Sequence, residues 1–335
     1  MQNSPYIVAE LSCNHLGHLN RAIKLIEAAK DAGADAVKLQ CWRPDRMCVD
    51  REYMIASKPW QGSRLYDLYQ AAFTPWEWFP ILFKKAKDLG IECFASVFDT
   101  EALAFLETLN CPRYKIASFE ITDLPLIRAV ANTHKPIVIS TGLASKEEIY
   151  KAEMTVLDAG CEYTLLKCTS AYPATVADAN LAAMQELCHY DANCYGVSDH
   201  TLGNTVAIAA TVLGATMIEK HLTLSRADGG PDAAFSPEPQ EFKAMVQACR
   251  EAASALGEVR YGPTEAEKPS LVFRRSLYAR QAIVKGTVLT KSIIEAAIVS
   301  ARPALGLPPD YPILGRHIVR DLPARTPLRE ADLAG

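Results

Sequence analysis

CYGVSDHTLGNTVAIAATVLGATMIEKHL, residues 194–222, is the stretch whose reading decides the fold. Two short apolar runs, CYGVSD (194–199) and TMIEKHL (216–222), flank a helix-like segment bounded by Gly203 and Gly214. The apolar residues of each run are near-continuous rather than strictly alternating. That pattern belongs to strands buried on both faces of a parallel sheet. Each run ends in a histidine, His200 in one and His221 in the other. Parallel strands of one sheet end at the same rim, so the two imidazoles are expected to converge there. Two neutral imidazoles on an open rim make a divalent-metal site.

The same alternation extends toward the N-terminus. Six further runs have this character: YIVAELS (6–12), AVKLQ (36–40), ECFASVF (92–98), YKIAS (114–118), PIVIST (136–141) and YTLLKC (163–168). Helix-like segments lie between them at Asn20–Ala32, Pro75–Gly90 and Lys146–Gly160. In the first, Ile23, Ile26 and Ala29 share a face and Gly33 follows as a stop. Eight strands, each followed by a helix, predict an α/β fold, a (β/α)8 TIM barrel. A doubly wound sheet is the competitor, but no G-x-G-x-x-G follows the first strand. A closing helix is expected at Glu238–Leu256. The barrel domain is assigned to residues 1–262, a polar linker to 263–273 and a small β-rich module to 274–335. One excursion, Cys41–Phe73, is long, aromatic and charged, as loops carrying substrate contacts often are. Phe73, Trp76 and Trp78 read as packing of a helix.

Composition narrows the function. The 335 residues are 49% apolar, with a formal charge of -4. That charge leaves no electrostatic footprint for nucleic acid or an anionic membrane. No apolar run is long enough to span a bilayer, and the opening MQNSPYIVAEL is unlike a signal peptide. A cytoplasmic location is expected. Ten scattered cysteines without a C-x-x-C pair read as reduced thiols, mostly small core residues.

Barrel enzymes carry their reacting groups at the carboxyl ends of the strands. Those positions hold Glu10, Lys38, Gln40, Ser96, Lys115, Ser118, Glu120, Ser140, Thr141, Lys167, Ser170, Tyr172, Ser198, Asp199, His200, Glu219 and His221. A charge inside an apolar strand is costly to bury alone, so Glu10, Lys38 and Lys115 must be paired or bound to ligand. A structural ion pair would explain any one of them; it does not explain so many together. Two lysines and several hydroxyls describe a cradle for phosphate and carboxylate. Glu10 and Glu120 are candidates for proton transfer. Two histidines without a strong carboxylate ligand suit manganese, with cobalt or magnesium as alternatives, and Asp199 could stand behind them. His134 and His189 lie away from the strand ends and read as surface residues.

Seven strings, AELSCNHLGHL, GADAVKLQ, YKIASFE, ISTGLAS, LLKCTSAYP, VSDHTLG and IEKHLTL, together resemble the sialic acid synthase family, which condenses phosphoenolpyruvate with an amino sugar. The likeness continues into the tail, where SLYARQAI, KGTVLT and SARPALGL look like the family's antifreeze-like (SAF) domain. It implies metal-binding roles for His200 and His221. It implies phosphoenolpyruvate contacts at Lys38, Ser96, Lys115, Ser118, Ser140, Ser170 and Ser198. Ser96 and Ser170 stand where neuraminate synthases often have Thr and Asn. Glu10 and Glu120 match catalytic-site glutamates, with Lys38 and Lys115 beside them. Gln40, Tyr172 and Asp232 fall on the sugar side. Arg302 matches a tail-domain arginine that reaches the sugar in a partner's barrel, implying a domain-swapped homodimer.

Within the family, LYDLYQAAFTPWEW, IASFEITDLPLI and GGPDAAFSPEPQEF look most similar to the pseudaminic acid branch. The implied acceptor is 2,4-diacetamido-2,4,6-trideoxy-altrose; the mannose-type sugars of legionaminate and neuraminate synthesis are the alternatives. A metal-dependent aldolase or isomerase would need no phosphate cradle. A carbohydrate-binding protein would need no metal.

Overall fold

The computed structural model describes residues 4–56, 60–192, 194–297 and 306–334. The chain divides into two compact units, with the break between Glu258 and Val259.

The first unit is a closed barrel of eight parallel strands in sequence order: β1 Tyr6–Glu10, β2 Ala36–Cys41, β3 Glu92–Val97, β4 Tyr114–Ile116, β5 Ile137–Ser140, β6 Tyr163–Cys168, β7 Cys194–Asp199 and β8 Met217–His221. β8 returns to pair with β1, placing Glu10 opposite His221 on one side and Lys38 on the other. The helices are α1 Leu19–Asp31, α2 Pro44–Met47, α3 Leu65–Ala72, α4 Phe79–Leu89, α5 Thr100–Thr108, α6 Leu124–Ala131, α7 Lys146–Leu157, α8 Leu181–Glu186, α9 Thr205–Val212 and α10 Pro239–Leu256. Every expected strand is present. The face of α1 is rotated slightly from the one expected: Ala22, Leu25, Ile26 and Ala29 are buried and Ile23 sits at the edge. Closure between β7 and β8 depends on Gly196, where a Cβ would overlap the Met217 backbone carbonyl. Any side chain there would push apart the two strands that carry the histidines. At α7 the start is fixed by reciprocal capping between Ser145 and Glu148.

The Cys41–Phe73 excursion holds α2, α3 and a bridge between Met54 and Arg64. The aromatic residues near it do pack. Trp76 stacks on Phe105 at 4.6 Å, Trp78 meets His15 edge-on, and Phe73 joins a cluster with Trp42, Tyr69 and Phe98. His134 and His189 are exposed, and the ten cysteines are free thiols, most of them buried.

The second unit carries two small antiparallel sheets. β9 Ser276–Ala279 pairs with β10 Ile294–Ala297, and β11 His317–Ile318 with β12 Leu333–Ala334. Its own core contains Leu277, Ile283, Leu289, Ile318, Leu322 and Leu328. Arg302 lies outside the described residues. Among the described residues no helix is long and apolar enough to cross a membrane.

Candidate active site

The barrel lumen is lined by alternating positive and negative groups. Lys38 is ion-paired with Glu10, lies 3.5 Å from Glu219 and donates to Ser96 Oγ at 2.9 Å. Lys115 donates to both oxygens of Glu219, at 2.9 and 3.1 Å, and Ser198 Oγ donates to the same carboxylate at 3.2 Å. Gln40 Nε2 and the Ser12 backbone N–H both donate to Glu10 Oε1. All four charged groups are buried. Two ammonium groups against two carboxyls leave this layer close to neutral, which is what makes its burial tolerable.

The carboxyls differ in character. Burial alone would raise Glu219, but Lys115 and Lys38 outweigh it and hold the group down to about 2. Burial raises Glu10 by more than Lys38 lowers it. Glu120 sits on a 3₁₀ turn, Ser118–Glu120, just past β4; burial pushes its carboxyl up to about 7, and its Oε2 has no hydrogen-bond partner. Environments that separate carboxyls in this way also separate their roles. Glu219 is held as an anion, whereas burial raises both Glu10 and Glu120.

A second cluster lies where β4, β5 and β6 end. Ser118 Oγ accepts the Gly142 N–H at 3.1 Å, and the Ser118 and Ser170 hydroxyls fill the space a Cβ at Gly142 would occupy. Ser140 Oγ is buried without a hydrogen-bond partner. Hydroxyls and an amide gathered at the ends of these strands suit an oxyanion.

The two histidines meet as expected, with ring centroids 5.4 Å apart. His200 Nδ1 lies 3.0 Å from the Thr169 carbonyl oxygen, which fixes the proton on Nδ1 and leaves Nε2 free to coordinate. His221 Nδ1 is buried without a hydrogen-bond partner, and burial holds this ring well below the ordinary imidazole range. Asp232 lies 3.7 Å from His221 Nδ1 and accepts a hydrogen bond from Ser12 Oγ. Two imidazoles, one with an orphaned nitrogen, are nitrogen donors of the kind a divalent cation takes. Among the described residues no three His, Cys, Asp or Glu side chains cluster to hold one. Open coordination positions would therefore be left for substrate and water. Tyr172 packs on His200 at 4.4 Å.

Asp199 does not stand behind the histidines. Its carboxylate takes Lys220 Nζ at 2.6 Å and the Thr201 N–H and hydroxyl, all on the outer side of the barrel. Side chains alternate along a strand, so with Ser198 and Glu219 facing inward, Asp199 and Lys220 must face the helices. Lys167 is likewise turned away, donating to the Cys168 carbonyl and to Thr169. A cavity of about 450 Å³ on this outer side is lined by Asn204, Lys220, Arg226, Phe235 and Met245. Neither histidine and neither lumen lysine lines it.

Two contributors were not anticipated as site residues, and a third, Glu219, stood among the strand-end positions with no role assigned. Glu219 was visible as a charge in an apolar strand, the same signal that marked Glu10. Cys168 was read as core packing, yet its Sγ lies 3.9 Å from His200 Nδ1; burial alone would raise the thiol, but His200 outweighs it and brings it down to about 7. Phe235, 5.0 Å from the His221 ring, carries no signal in sequence spacing.

Residues 25–261 match the model of the NeuB family, and residues 274–334 match the SAF domain. Pseudaminic acid synthase of Helicobacter pylori is 44% identical, covering 99% of each chain. N,N'-diacetyllegionaminic acid synthase of Legionella pneumophila is 37% identical over 96% of this chain and 93% of its own. The crystal structure of N-acetylneuraminic acid synthetase from Leptospira borgpetersenii, 31% identical, superposes with a TM-score of 0.72 over 80% of this chain and 90% of its own.

Proposed function

This chain belongs to the NeuB family, with a SAF domain after the barrel, and on that premise we propose that it condenses phosphoenolpyruvate with 2,4-diacetamido-2,4,6-trideoxy-altrose and water to give pseudaminic acid and phosphate. The observation that carries this reading is the 44% identity to a pseudaminic acid synthase along the whole length, against 37% for a legionaminic acid synthase. The lumen supports the reaction class. Two buried lysines and a set of serine hydroxyls lie on the same rim as two histidines, so a phosphate-bearing acid and a sugar aldehyde can occupy adjoining space.

Lys38, Lys115 and the hydroxyls of Ser96, Ser118, Ser140, Ser170 and Ser198 bind the phosphate and carboxylate of phosphoenolpyruvate. Glu219 stays ionised and keeps both ammonium groups charged and fixed. Carbon 3 of phosphoenolpyruvate forms the new bond to the sugar aldehyde carbon, and the aldehyde oxygen takes up a proton. Water adds at carbon 2 and gives up a proton; the C–O bond to phosphate then breaks as the new hydroxyl loses its proton to form the keto group, and the leaving phosphate takes a proton up. Glu10 and Glu120 are the carboxyls that supply and accept these protons. Gln40, Tyr172 and Asp232 orient the sugar. His200 and His221 would hold a divalent ion, manganese in the first instance, which when bound polarises the aldehyde.

The acting unit is a homodimer in the cytoplasm, with Arg302 of one subunit completing the sugar site of the other. Mixing an Arg302→Ala chain with a Lys115→Met chain tests this. Activity should return in mixed dimers, and mixed dimers that stay inactive would remove the trans contact. For the reaction itself, phosphate release from phosphoenolpyruvate is measured with a panel of amino sugars, with and without manganese after chelation. Release with the trideoxy-altrose sugar is expected. Release with a mannose-type sugar instead would replace the acceptor, and no release with any sugar would remove the synthase reading.

A further inference from the structure

The geometry points to Trp60 as a specificity-determining residue that holds the deoxygenated far end of the sugar. This inference rests on the reaction proposed above. Trp60 belongs to the excursion between β2 and β3, remote in sequence from the strand ends that make the rest of the site. Its ring nevertheless lies 5.7 Å from Tyr172, and Tyr172 in turn lies 4.4 Å from His200 and 5.2 Å from Phe235. Trp60 Nε1 donates to the Pro231 carbonyl at 3.2 Å, tying the excursion to the segment that carries Asp232. Three separate segments thus build one aromatic wall, and Trp60 stands one ring further from the histidines than Tyr172.

The chemistry of that position is apolar. The indole N–H is committed to Pro231, so Trp60 offers ring carbon and no donor. An open six-carbon sugar with its aldehyde at the histidines has its far end on the order of 6 Å away, judged from extended-chain bond geometry. That distance brings the end to the outer part of the aromatic wall. A methyl group there is removed from water against a ring face. A hydroxyl against the same ring face would lose water and gain no partner from the indole. Trp60 therefore favours a sugar that ends in a methyl group over one that ends in a hydroxymethyl group. An apolar wall gives only moderate discrimination, roughly 10- to 100-fold.

The test is steady-state kinetics on the full-length protein with a 6-deoxy diacetamido sugar and its 6-hydroxy counterpart, comparing wild type, Trp60→Ala and Trp60→Phe. Trp60→Ala should raise KM for the 6-deoxy sugar roughly tenfold and narrow the preference between the two sugars. KM for phosphoenolpyruvate should be unchanged. Trp60→Phe, which keeps a ring, should recover most of the loss and guards against a folding defect in the alanine variant. An unchanged sugar KM, or a phosphoenolpyruvate KM that rises in step, would overturn the role of Trp60 while leaving the reaction standing. Wild-type protein that turns over neither sugar would overturn both.

Discussion

Lys115 and Glu219, 104 residues apart in the chain, share two hydrogen bonds of 2.9 and 3.1 Å inside the barrel. Glu219 also lies 3.5 Å from Lys38, so one carboxylate is counter-ion to both lysines of the lumen. Its place is structural as well as electrostatic: β4 and β8 lie on different sides of the barrel, and this contact crosses the space between them.

Glu219→Gln should therefore damage stability and activity together. It leaves two buried ammonium groups short of a partner, a loss of about 3–5 kcal/mol. Urea denaturation measures the first effect and phosphate release the second. A Lys115→Met, Glu219→Leu pair should regain most of the stability and none of the activity. If the pair is as unstable as Glu219→Gln alone, the uncompensated charge is not the cause.

Glu120 gives a pH signature. Burial raises its carboxyl from the ordinary 4.5 to about 7 in the folded protein. Between these values the native state keeps a proton that the unfolded chain has released, so this group's stabilising contribution is complete below 4.5 and is lost as pH rises through 7. Glu120→Gln removes the titration. The variant should gain about 3 kcal/mol over wild type at about pH 8 relative to the difference at about pH 4. Denaturation curves at the two pH values decide it, and a pH-independent difference would show that Glu120 does not titrate there. The inflection near neutrality in kcat/KM should vanish in the same variant.

Removing either imidazole should separate folding from function. His200→Ala and His221→Ala should each lose bound manganese, measured by elemental analysis after equilibrium dialysis. Phosphate release should fall by about a thousandfold or more, as for loss of a Lewis acid contributing several kcal/mol. Thermal melts without metal should stay close to wild type, because the rings fill space at the rim rather than in the apolar core. Retained metal in both variants would move the ion elsewhere.

Gly142→Ala probes the oxyanion cradle. The added methyl takes the space of the Ser118 and Ser170 hydroxyls, with the Ser118 hydroxyl at 2.6 Å and its Cβ at 3.0 Å from the new atom. Both serines must turn away. KM for phosphoenolpyruvate should rise by about 10- to 100-fold, the loss of one or two charge-assisted hydrogen bonds. KM for the sugar should be little changed. Equal effects on both substrates would place the cradle at a shared wall instead.

The sequence by itself determined the barrel and the residues at its rim. Apolar runs of five to seven residues alternating with helical periodicity leave few architectures open, and a closed parallel barrel fixes which end of each strand carries chemistry. Glu10, Lys38, Lys115, Ser118, His200 and His221 were legible for that reason: a polar residue at the end of an otherwise apolar strand stands out locally. What only the tertiary structure decided is which of these groups face each other. In strands buried on both sides the apolar pattern is nearly continuous, so inward and outward positions look alike in sequence, and Asp199 could be told from Ser198 only after β7 was set against β8. The sharing of Glu219 by Lys38 and Lys115, the thiol of Cys168 at His200 and the reach of Trp60 to Tyr172 depend on register, closure and the path of a long excursion. Those are set by contacts between residues far apart in the chain, and no local spacing records them.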